Sequence, residues 1–328
     1  MSKSAIRAVV FCIGLILIAI GMYVYLERAN QTLDHESESR VSRRLETSAQ
    51  QNDNKYEEIY GEEESTLETF INPRGTCLQD RIVPPKGYSR NKESRTSFAT
   101  FLREYPVKED KSPVLLFDGK EKGNQHVHVA ILDIDMQGNQ VFQSSQCIVF
   151  LNFEYAWELG EYENMAVRLP NQLLLSYTDW KDGYRLVTDH EKTEISKIKT
   201  RDETYETFRE YLNTLFLYRG VSSLESECVS IQPNQLGIGD LLIQGTDQEH
   251  CIMVIDMVQN DKGEKAYLLG QGFNPAQEFH IIRNPAHDND PWYYESEIVF
   301  PFHTPQWTFQ EGTLKRWDRT KIGSEFVE

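Results

Sequence analysis

A cysteine and a histidine occupy positions where a protein chain can build a nucleophile and its base. In NQVFQSSQCIVFLNFEYAW, Ser144 is suited to cap a helix, which makes Cys147 the third helical residue. The free N–H groups and the dipole at a helix start favour an anion, so a thiol at that place can ionise at a lower pH than usual. A helix that begins earlier, at Asn139, would instead bury Cys147 in the core as an inert thiol. Both interpretations stay open.

The candidate base, His250, opens the apolar run HCIMVIDMV after a Gly-Asp turn, which predicts a histidine at the start of a strand. A thiolate nucleophile needs an imidazole within about 3 Å, and the imidazole needs a partner that orients it. Asp256 is excluded because it lies roughly 20 Å away along the same strand. A hairpin turn in NDKGEK brings Gln271 across from His250, so Gln271 is the preferred partner and His280 the second. Alternation along the strand sends Cys251 to the other face, into the core.

A pair of histidines offers a metal site as a rival. His126 and His128 share one strand face, about 7 Å apart, and Asp133 and Asp135 follow, all acceptable ligands for zinc or a harder cation. The alternation of a strand puts the two aspartates on the other face unless a bulge intervenes. We therefore predict no metal ligand and no cofactor, and a metal-dependent hydrolase is the third hypothesis.

The first 26 residues predict a membrane anchor. Residues 8–26 carry no charge, and about 20 apolar residues span the hydrocarbon layer as a helix. Lys3 and Arg7 precede them, so residues 1–7 should stay in the cytoplasm and the rest should be exported, to the periplasm or the cell surface. A cleaved signal peptide is the alternative, but no clear cleavage site follows the apolar run.

The next segment, 27–72, is rich in Glu, Gln, Ser and Asn and predicts a disordered acidic tether, which leaves 73–328 as one exported domain. The net charge of -17 would repel phosphates, so no nucleic acid partner is expected. Four of the five cysteines follow the anchor, in a compartment that permits disulfides, and one or two bridges of undetermined pairing are expected. These four are Cys77, Cys147, Cys228 and Cys251.

Apolar spacing predicts both helices and strands in the exported domain. Helices are predicted over 96–105, 146–160 and 202–220. Strands are predicted over 114–119 and 126–136, and in LLIQG, CIMVIDMV and AYLLGQGF, the last two forming a hairpin. Helices followed by an antiparallel sheet predict an α+β fold. Aromatic residues near the C-terminus, in PWYY, TPQWTF and RW, are expected to pack over the sheet, and a shelf that binds a ligand is the alternative.

Motifs dispersed over residues 80–318 resemble a bacterial family of exported and envelope proteins, domain of unknown function 4846. They are, in chain order, SFATFLREYPVK, LLFDGKEKGNQHVHVAILDID, the QC helix start, TDWKDGYR, TYETFREYL, GIGDLLIQG, EHCIMVIDM, LLGQGFNPAQEFHI, NPAHDNDPWY and TPQWTFQEGTLKRW. The family has no established activity, so the resemblance implies an exported location and no particular reaction.

In one respect the pattern is similar to the papain-like cysteine hydrolases of cell walls, the NlpC/P60 group. Both have a helix-start cysteine, then a Gly-Asp strand, then a strand-opening histidine. The resemblance implies a papain-like fold with Cys147 as nucleophile, His250 as base and Gln271 as the orienting residue. The chain departs from that group around the cysteine, where Gln-Cys-Ile-Val at 146–149 replaces Asp-Cys-Ser-Gly.

The motifs that carry the resemblance also contain the residues expected to bind a substrate. They are Trp180, Arg185, Asp240, Gln277 and His280. Arg185, presented by the turn KDGYR, would either bind a carboxylate or lie in solvent.

We therefore expect a single-pass envelope protein whose exported domain is a candidate amidase or peptidase acting on cell-wall peptides. Cys147 would attack, His250 would carry the proton, and N–H groups at the helix start would hold the oxyanion. The opposing expectation is a non-catalytic binding or scaffold module, in which Cys147 and His250 are structural residues.

Overall fold

The structure, a computed structural model, describes residues 70–169, 171–189, 192–246 and 249–318. The predicted anchor, and the predicted tether up to residue 69, lie outside the described residues. Within those ranges no helix is both long and apolar enough to cross a membrane. The folded domain begins slightly before the predicted boundary at residue 73, because Ile71 forms a β-bridge with Ile82.

The described residues form six α-helices and fifteen strands. The helices are α1 (Leu78–Arg81), α2 (Phe98–Glu104), α3 (Ser144–Glu158), α4 (Tyr177–Lys181), α5 (Tyr205–Phe216) and α6 (Val221–Ser226). The strands are β1 (Tyr88–Ser89), β2 (His128–Ile131), β3 (Ala166–Arg168), β4 (Leu174–Ser176), β5 (Tyr184–Asp189), β6 (Lys192–Lys197), β7 (Cys228–Ser230), β8 (Leu241–Gln244), β9 (His250–Asn260), β10 (Lys265–Gln271), β11 (His280–Ile282), β12 (Tyr293–Tyr294), β13 (Phe302–His303), β14 (Thr308–Phe309) and β15 (Leu314–Trp317).

One antiparallel sheet organises the domain. Its strand order is β2-β11-β10-β9-β8-β15-β7, with β1 paired to β9 and β12 paired to β10. Three two-stranded ribbons, β3-β4, β5-β6 and β13-β14, lie apart from it. The predicted α+β class with an antiparallel sheet is confirmed.

The central strand β9 separates two apolar layers. Cys251, Met253 and Ile255 belong to the larger layer, which contains the buried residues of α3 and α5. Ile252 and Val254 point the other way, into a smaller layer with aromatic residues from the C-terminal segment. We call these sides of the sheet the helix face and the C-terminal face.

Helix α3 is the central helix of the domain. Its residues from Ser144 to Glu154 are all buried, as expected for a helix that is apolar around most of its circumference. It ends before Gly160, whose φ of 72° suits a glycine stop. Ser144 is the first helical residue and Gln143 takes the capping position, so Cys147 is the fourth residue of the helix, not the third.

Helix α5 follows the predicted amphipathic pattern. It begins after Thr204, whose side chain accepts a hydrogen bond from the backbone N–H of Thr207. Phe208, Leu212 and Leu215 are fully buried on one stripe. The helix ends before the predicted stop, since Gly220 serves as the capping residue of α6.

Two predicted strands are wrong, one in its existence and one in its length. The segment 114–119 is not a strand, because Leu115 and Leu116 form only isolated bridges, to Glu121 and Gln277. The segment 126–136 is a strand only over His128–Ile131, where it pairs with β11.

A β-bulge in β9 places a carboxylate against the helices. Leu268 pairs with Asp256 whereas Leu269 pairs with Val254, so β9 accommodates one extra residue, Ile255. Ile255 and Asp256 therefore both point to the helix face, where Arg103 of α2 donates to Asp256 at 2.7 Å. Arg90 donates to the other oxygen of the same carboxylate at 2.6 Å.

We predict that Asp256→Asn destabilises the protein by about 3 to 5 kcal/mol, because two guanidinium groups lose the charge they are buried against. The matched control is Asp182→Asn, which removes a half-exposed partner of Arg201 and should cost less than about 1 kcal/mol. Chemical unfolding of the two variants measures the difference. Equal losses would show that the Asp256 carboxylate does not organise this part of the fold.

Candidate functional site

The predicted contact between His250 and Gln271 is present. The hairpin β9-β10 pairs Gly270 with Met253, which brings the end of β10 beside the start of β9. The Nε2 atom of His250 lies 2.8 Å from Oε1 of Gln271, and both side chains are on the C-terminal face. The two residues are 2% and 1% exposed, so this hydrogen bond is made out of contact with solvent.

A chain of hydrogen bonds determines where the protons lie. Nδ1 of His280 is 2.9 Å from the backbone oxygen of Glu278, which can only accept, so Nδ1 carries the proton and Nε2 of His280 is an acceptor. The amide nitrogen of Gln271, 3.3 Å from that Nε2, donates to it. The amide oxygen of Gln271 therefore faces His250 and accepts its Nε2–H. It follows that Nδ1 of His250 carries a lone pair.

Gln306 extends this chain towards the surface. Its amide oxygen accepts from the amide nitrogen of Gln271 at 2.9 Å and from Nζ of Lys122 at 2.7 Å. The amide nitrogen of Gln306 consequently remains a donor for another partner. We call Lys122, His250, Gln271, His280 and Gln306 the polar cluster.

Burial keeps the imidazoles of the polar cluster uncharged. Desolvation lowers the pKa of His250 to about 4, against a smaller upward effect of the Gln271 hydrogen bond. Desolvation, together with the charge of Lys122, lowers the pKa of His280 to about 3. Both rings are neutral at pH 7, which agrees with the assignment of one proton to each.

Two aromatic rings pack against the imidazole of His250. The ring centroids of Phe273 and Trp307 each lie 4.7 Å from that of His250. No described residue forms a hydrogen bond with Nδ1 of His250, the atom with the lone pair. The ring is therefore held rigidly by one nitrogen while the other is available to a ligand.

An open cavity of about 450 Å³ adjoins the polar cluster. Its lining residues are Gln244, Thr304, Pro305, Gln306, Trp307 and Thr308. Gln244 is the strand partner of His250, so the two side chains lie next to each other on the C-terminal face. Among the residues that the structure describes, Oε1 of Gln244 and Nε1 of Trp307 are buried without a hydrogen-bond partner. Two residues that line the cavity thus contain an acceptor and a donor whose hydrogen bonds are unmade.

The structure does not bring Cys147 to His250. The sulfur lies against Gly272, where an added Cβ would be 2.5 Å from it, and its thiol donates a long hydrogen bond to the Phe142 oxygen at 3.8 Å. The thiol belongs to the apolar layer on the helix face. Alternation along β10 places Gln271 on the C-terminal face, together with Tyr267 and Leu269. Burial, and then the neighbouring Cys251, raise the pKa of Cys147. The thiol is fully buried and protonated. The helix nevertheless begins at Ser144 and not at Asn139, so the structure combines the early-helix position of one interpretation with the burial expected from the other.

The four cysteines that follow the predicted anchor are free thiols, so the expected disulfides are not formed in this structure. Cys251 is a buried core residue on the helix face, as predicted. Cys77 and Cys228 are partly exposed.

Three of the predicted substrate-binding residues have partners of their own. Arg185 stacks on Trp180, 4.0 Å from its ring centroid, and donates to the Trp180 backbone oxygen at 2.6 Å. The carboxylate of Asp240 accepts from Arg316 at 2.7 Å and from the Gly237 N–H at 2.8 Å.

The other two predicted substrate-binding residues differ in their surroundings. Gln277 is buried, and its backbone forms a bridge with Leu116. Only His280, of the five, belongs to the polar cluster.

The histidine pair considered as a metal site is separated. His128 lies in β2, and its Nε2 is 3.1 Å from the Ser112 backbone oxygen, whereas His126 is exposed outside the strand. Within the described ranges no group of three or more histidine, cysteine or acidic residues is placed to hold a metal ion.

Sequence reasoning missed two contributors to the site, Lys122 and Gln306. The motif TPQWTF contains Gln306, but only its aromatic residues carry a prediction, in which packing over the sheet is preferred to a ligand shelf. Packing is what the buried Phe309 does. Trp307 does pack over the sheet, and it also covers His250. No local pattern distinguishes Lys122 from the other lysines of the segment.

A family model, described as domain of unknown function (4846), matches residues 78–316. The chain belongs to this family. The match spans the whole polar cluster and every helix of the described residues, and it confirms the resemblance drawn from the dispersed motifs. Comparisons with curated proteins and with solved structures return no match.

The first prediction from this site concerns the thiols. In the native protein at pH 7 to 8 we expect iodoacetamide to modify the partly exposed Cys77 and to leave Cys147 and Cys251 unmodified until denaturant is added, because the reagent needs an accessible thiolate. Peptide mass spectrometry over time measures each rate. Rapid native modification of Cys147 that slows in His250→Ala would contradict the placement of the two residues on opposite faces.

The second prediction concerns pH. Since the pKa of His250 is about 4 in the folded protein and about 6.5 in the unfolded chain, the unfolded state binds more protons between these values. Stability should fall as the pH drops from about 6.5 to about 4, with about 3 kcal/mol due to His250. The contribution of His250 is the difference between wild type and His250→Gln in how much the free energy of unfolding changes from about pH 6.5 to about pH 4. The control is His126→Gln, which replaces an exposed histidine. Equal pH dependence in wild type and His250→Gln would contradict a buried neutral ring.

Proposed function

We propose that the domain is a non-catalytic binding module of the cell envelope that recognises an amide-containing ligand, a cell-wall peptide, in the cavity beside His250. One observation carries the proposal. A chain of hydrogen bonds from Glu278 through His280 and Gln271 orients His250 and leaves the lone pair of its Nδ1 without a partner. The adjoining cavity is lined by two residues that also have polar atoms without a partner.

The unused groups are complementary to a peptide unit. Nδ1 of His250 and Oε1 of Gln244 can accept from a ligand N–H, whereas the indole N–H of Trp307 can donate to a ligand carbonyl. Each buried polar atom left without a partner costs about 1 to 3 kcal/mol. A ligand that satisfies these atoms recovers that energy on binding. The neutral imidazole and amides suit an uncharged backbone group.

The location of the domain supports the choice of ligand. The predicted anchor at 8–26 and the tether that follows would hold the domain outside the membrane, within reach of the cell wall. Cell-wall peptides present amide groups of the kind the cavity fits.

The papain-like cysteine hydrolase has less support. A thiol nucleophile must meet its imidazole at hydrogen-bond distance, and here Cys147 and His250 face opposite sides of the sheet. A pKa of about 4 also makes His250 a weak base at pH 7. The metal-dependent hydrolase has less support as well, since the described His128 bonds to a backbone oxygen and His126 lies apart from it in solvent.

The test is calorimetric titration of the full-length protein with purified muropeptides. We expect binding without turnover, and a loss of affinity of about fivefold or more in Trp307→Phe, which keeps an aromatic ring but loses one hydrogen bond. Tyr184→Ala, an exposed aromatic residue of β5, is the control and should bind as wild type does.

Two results would overturn the proposal. The first is the absence of muropeptide binding at millimolar concentration. The second is muropeptide cleavage that Cys147→Ser abolishes, which would restore the cysteine hydrolase.

A further inference from the structure

Lys122 is a buried ammonium group without an acidic partner. The residue is 9% exposed, and its one side-chain hydrogen bond among the described residues goes to the neutral amide of Gln306. An ammonium group has three N–H donors, so two remain unused. A buried charge with no counter-charge is costly, and natural chains rarely keep one without a use.

A shortage of acidic residues does not explain this arrangement. The chain has 51 Asp and Glu against 34 Lys and Arg. Two neighbouring lysines are paired, Lys120 with Asp118 and Lys108 with Glu278. The charge of Lys122 acts on two histidines instead, since it contributes to the lowered pKa of both His128 and His280.

Gln306 connects the ammonium group with the cavity. It accepts a hydrogen bond from Lys122 and also lines the cavity wall, so one side-chain amide connects the two. Burial lowers the pKa of Lys122 to about 8, so the amine is still mostly protonated at pH 7. On the same side, Nδ1 of His128 is buried without a described partner.

We infer that Lys122 binds the carboxylate of the ligand, so that the site selects peptides with a free carboxylate near the amide that His250 and Trp307 recognise. This inference rests on the proposed binding function and deepens it. A carboxylate oxygen accepts one or two of the unused N–H groups of Lys122 and supplies the missing counter-charge. The selected ligand class is a peptide bearing a free carboxyl group.

The experiment compares two small probes that differ in one group, N-acetylalanine and N-acetylalaninamide. Dissociation constants for the full-length protein come from the dependence of the thermal unfolding midpoint on probe concentration. We expect wild type to bind the carboxylate probe about tenfold or more tightly than the amide. Lys122→Met should bind both probes alike, at the affinity wild type has for the amide. The control Lys120→Met removes an exposed charge two residues away and should keep the preference.

The unfolding midpoint without probe separates a binding role from a structural one. Because Lys122→Met removes an uncompensated buried charge, its unliganded midpoint should equal or exceed that of wild type. A strongly lowered midpoint would overturn the inference in favour of a structural lysine.

The remaining outcomes are distinct. Equal binding of both probes to wild type, or a preference that survives in Lys122→Met, overturns the inference and leaves the proposed function standing. Binding of neither probe overturns both.

Discussion

The backbone oxygen of Glu278 determines the state of the candidate site. A carbonyl can only accept, so it places the proton of His280 on Nδ1, and each hydrogen bond that follows then has one possible direction. The orientation of the Gln271 amide and the proton position on His250 are consequences of that single contact. On the protein surface, a histidine and a glutamine would exchange among several proton positions and amide orientations. Here strand β11 and the burial of the polar cluster allow only one combination.

The sheet imposes the second constraint. Neighbouring residues of a strand point to opposite faces. Gln271, the last residue of β10, points to the C-terminal face, whereas Gly272, which follows the strand, lies against a thiol of the helix face. Gly272 receives the Cys147 thiol on the helix face, while Gln271 receives His250 on the C-terminal face. The pattern of a helix-start cysteine and a strand-opening histidine is therefore present in this chain without the contact that a cysteine hydrolase needs. On the C-terminal face, His250 and Gln271 provide a neutral imidazole and a neutral amide as hydrogen-bonding groups.

Much of this arrangement follows from local sequence patterns. The hairpin around NDKGEK predicts that Gln271 meets His250, and the alternation of β9 predicts that Cys251 lies in the core. The face on which α3 packs is not predictable in the same way, because β9 is apolar on both sides and either face would bury a helix. That choice decides whether Cys147 can meet His250. Lys122 and Gln306 meet across a separation of 184 residues, which no local pattern encodes.

The most direct test of the central claim is the protonation state of the two imidazoles, read from nitrogen-15 chemical shifts of the histidine rings in the full-length protein at pH 7. We expect a neutral His250 with its proton on Nε2 and a neutral His280 with its proton on Nδ1, and both signals should change together in Gln271→Ala. A His250 with its proton on Nδ1, or a charged ring, would contradict the account, because Nδ1 would then have no lone pair to offer a ligand.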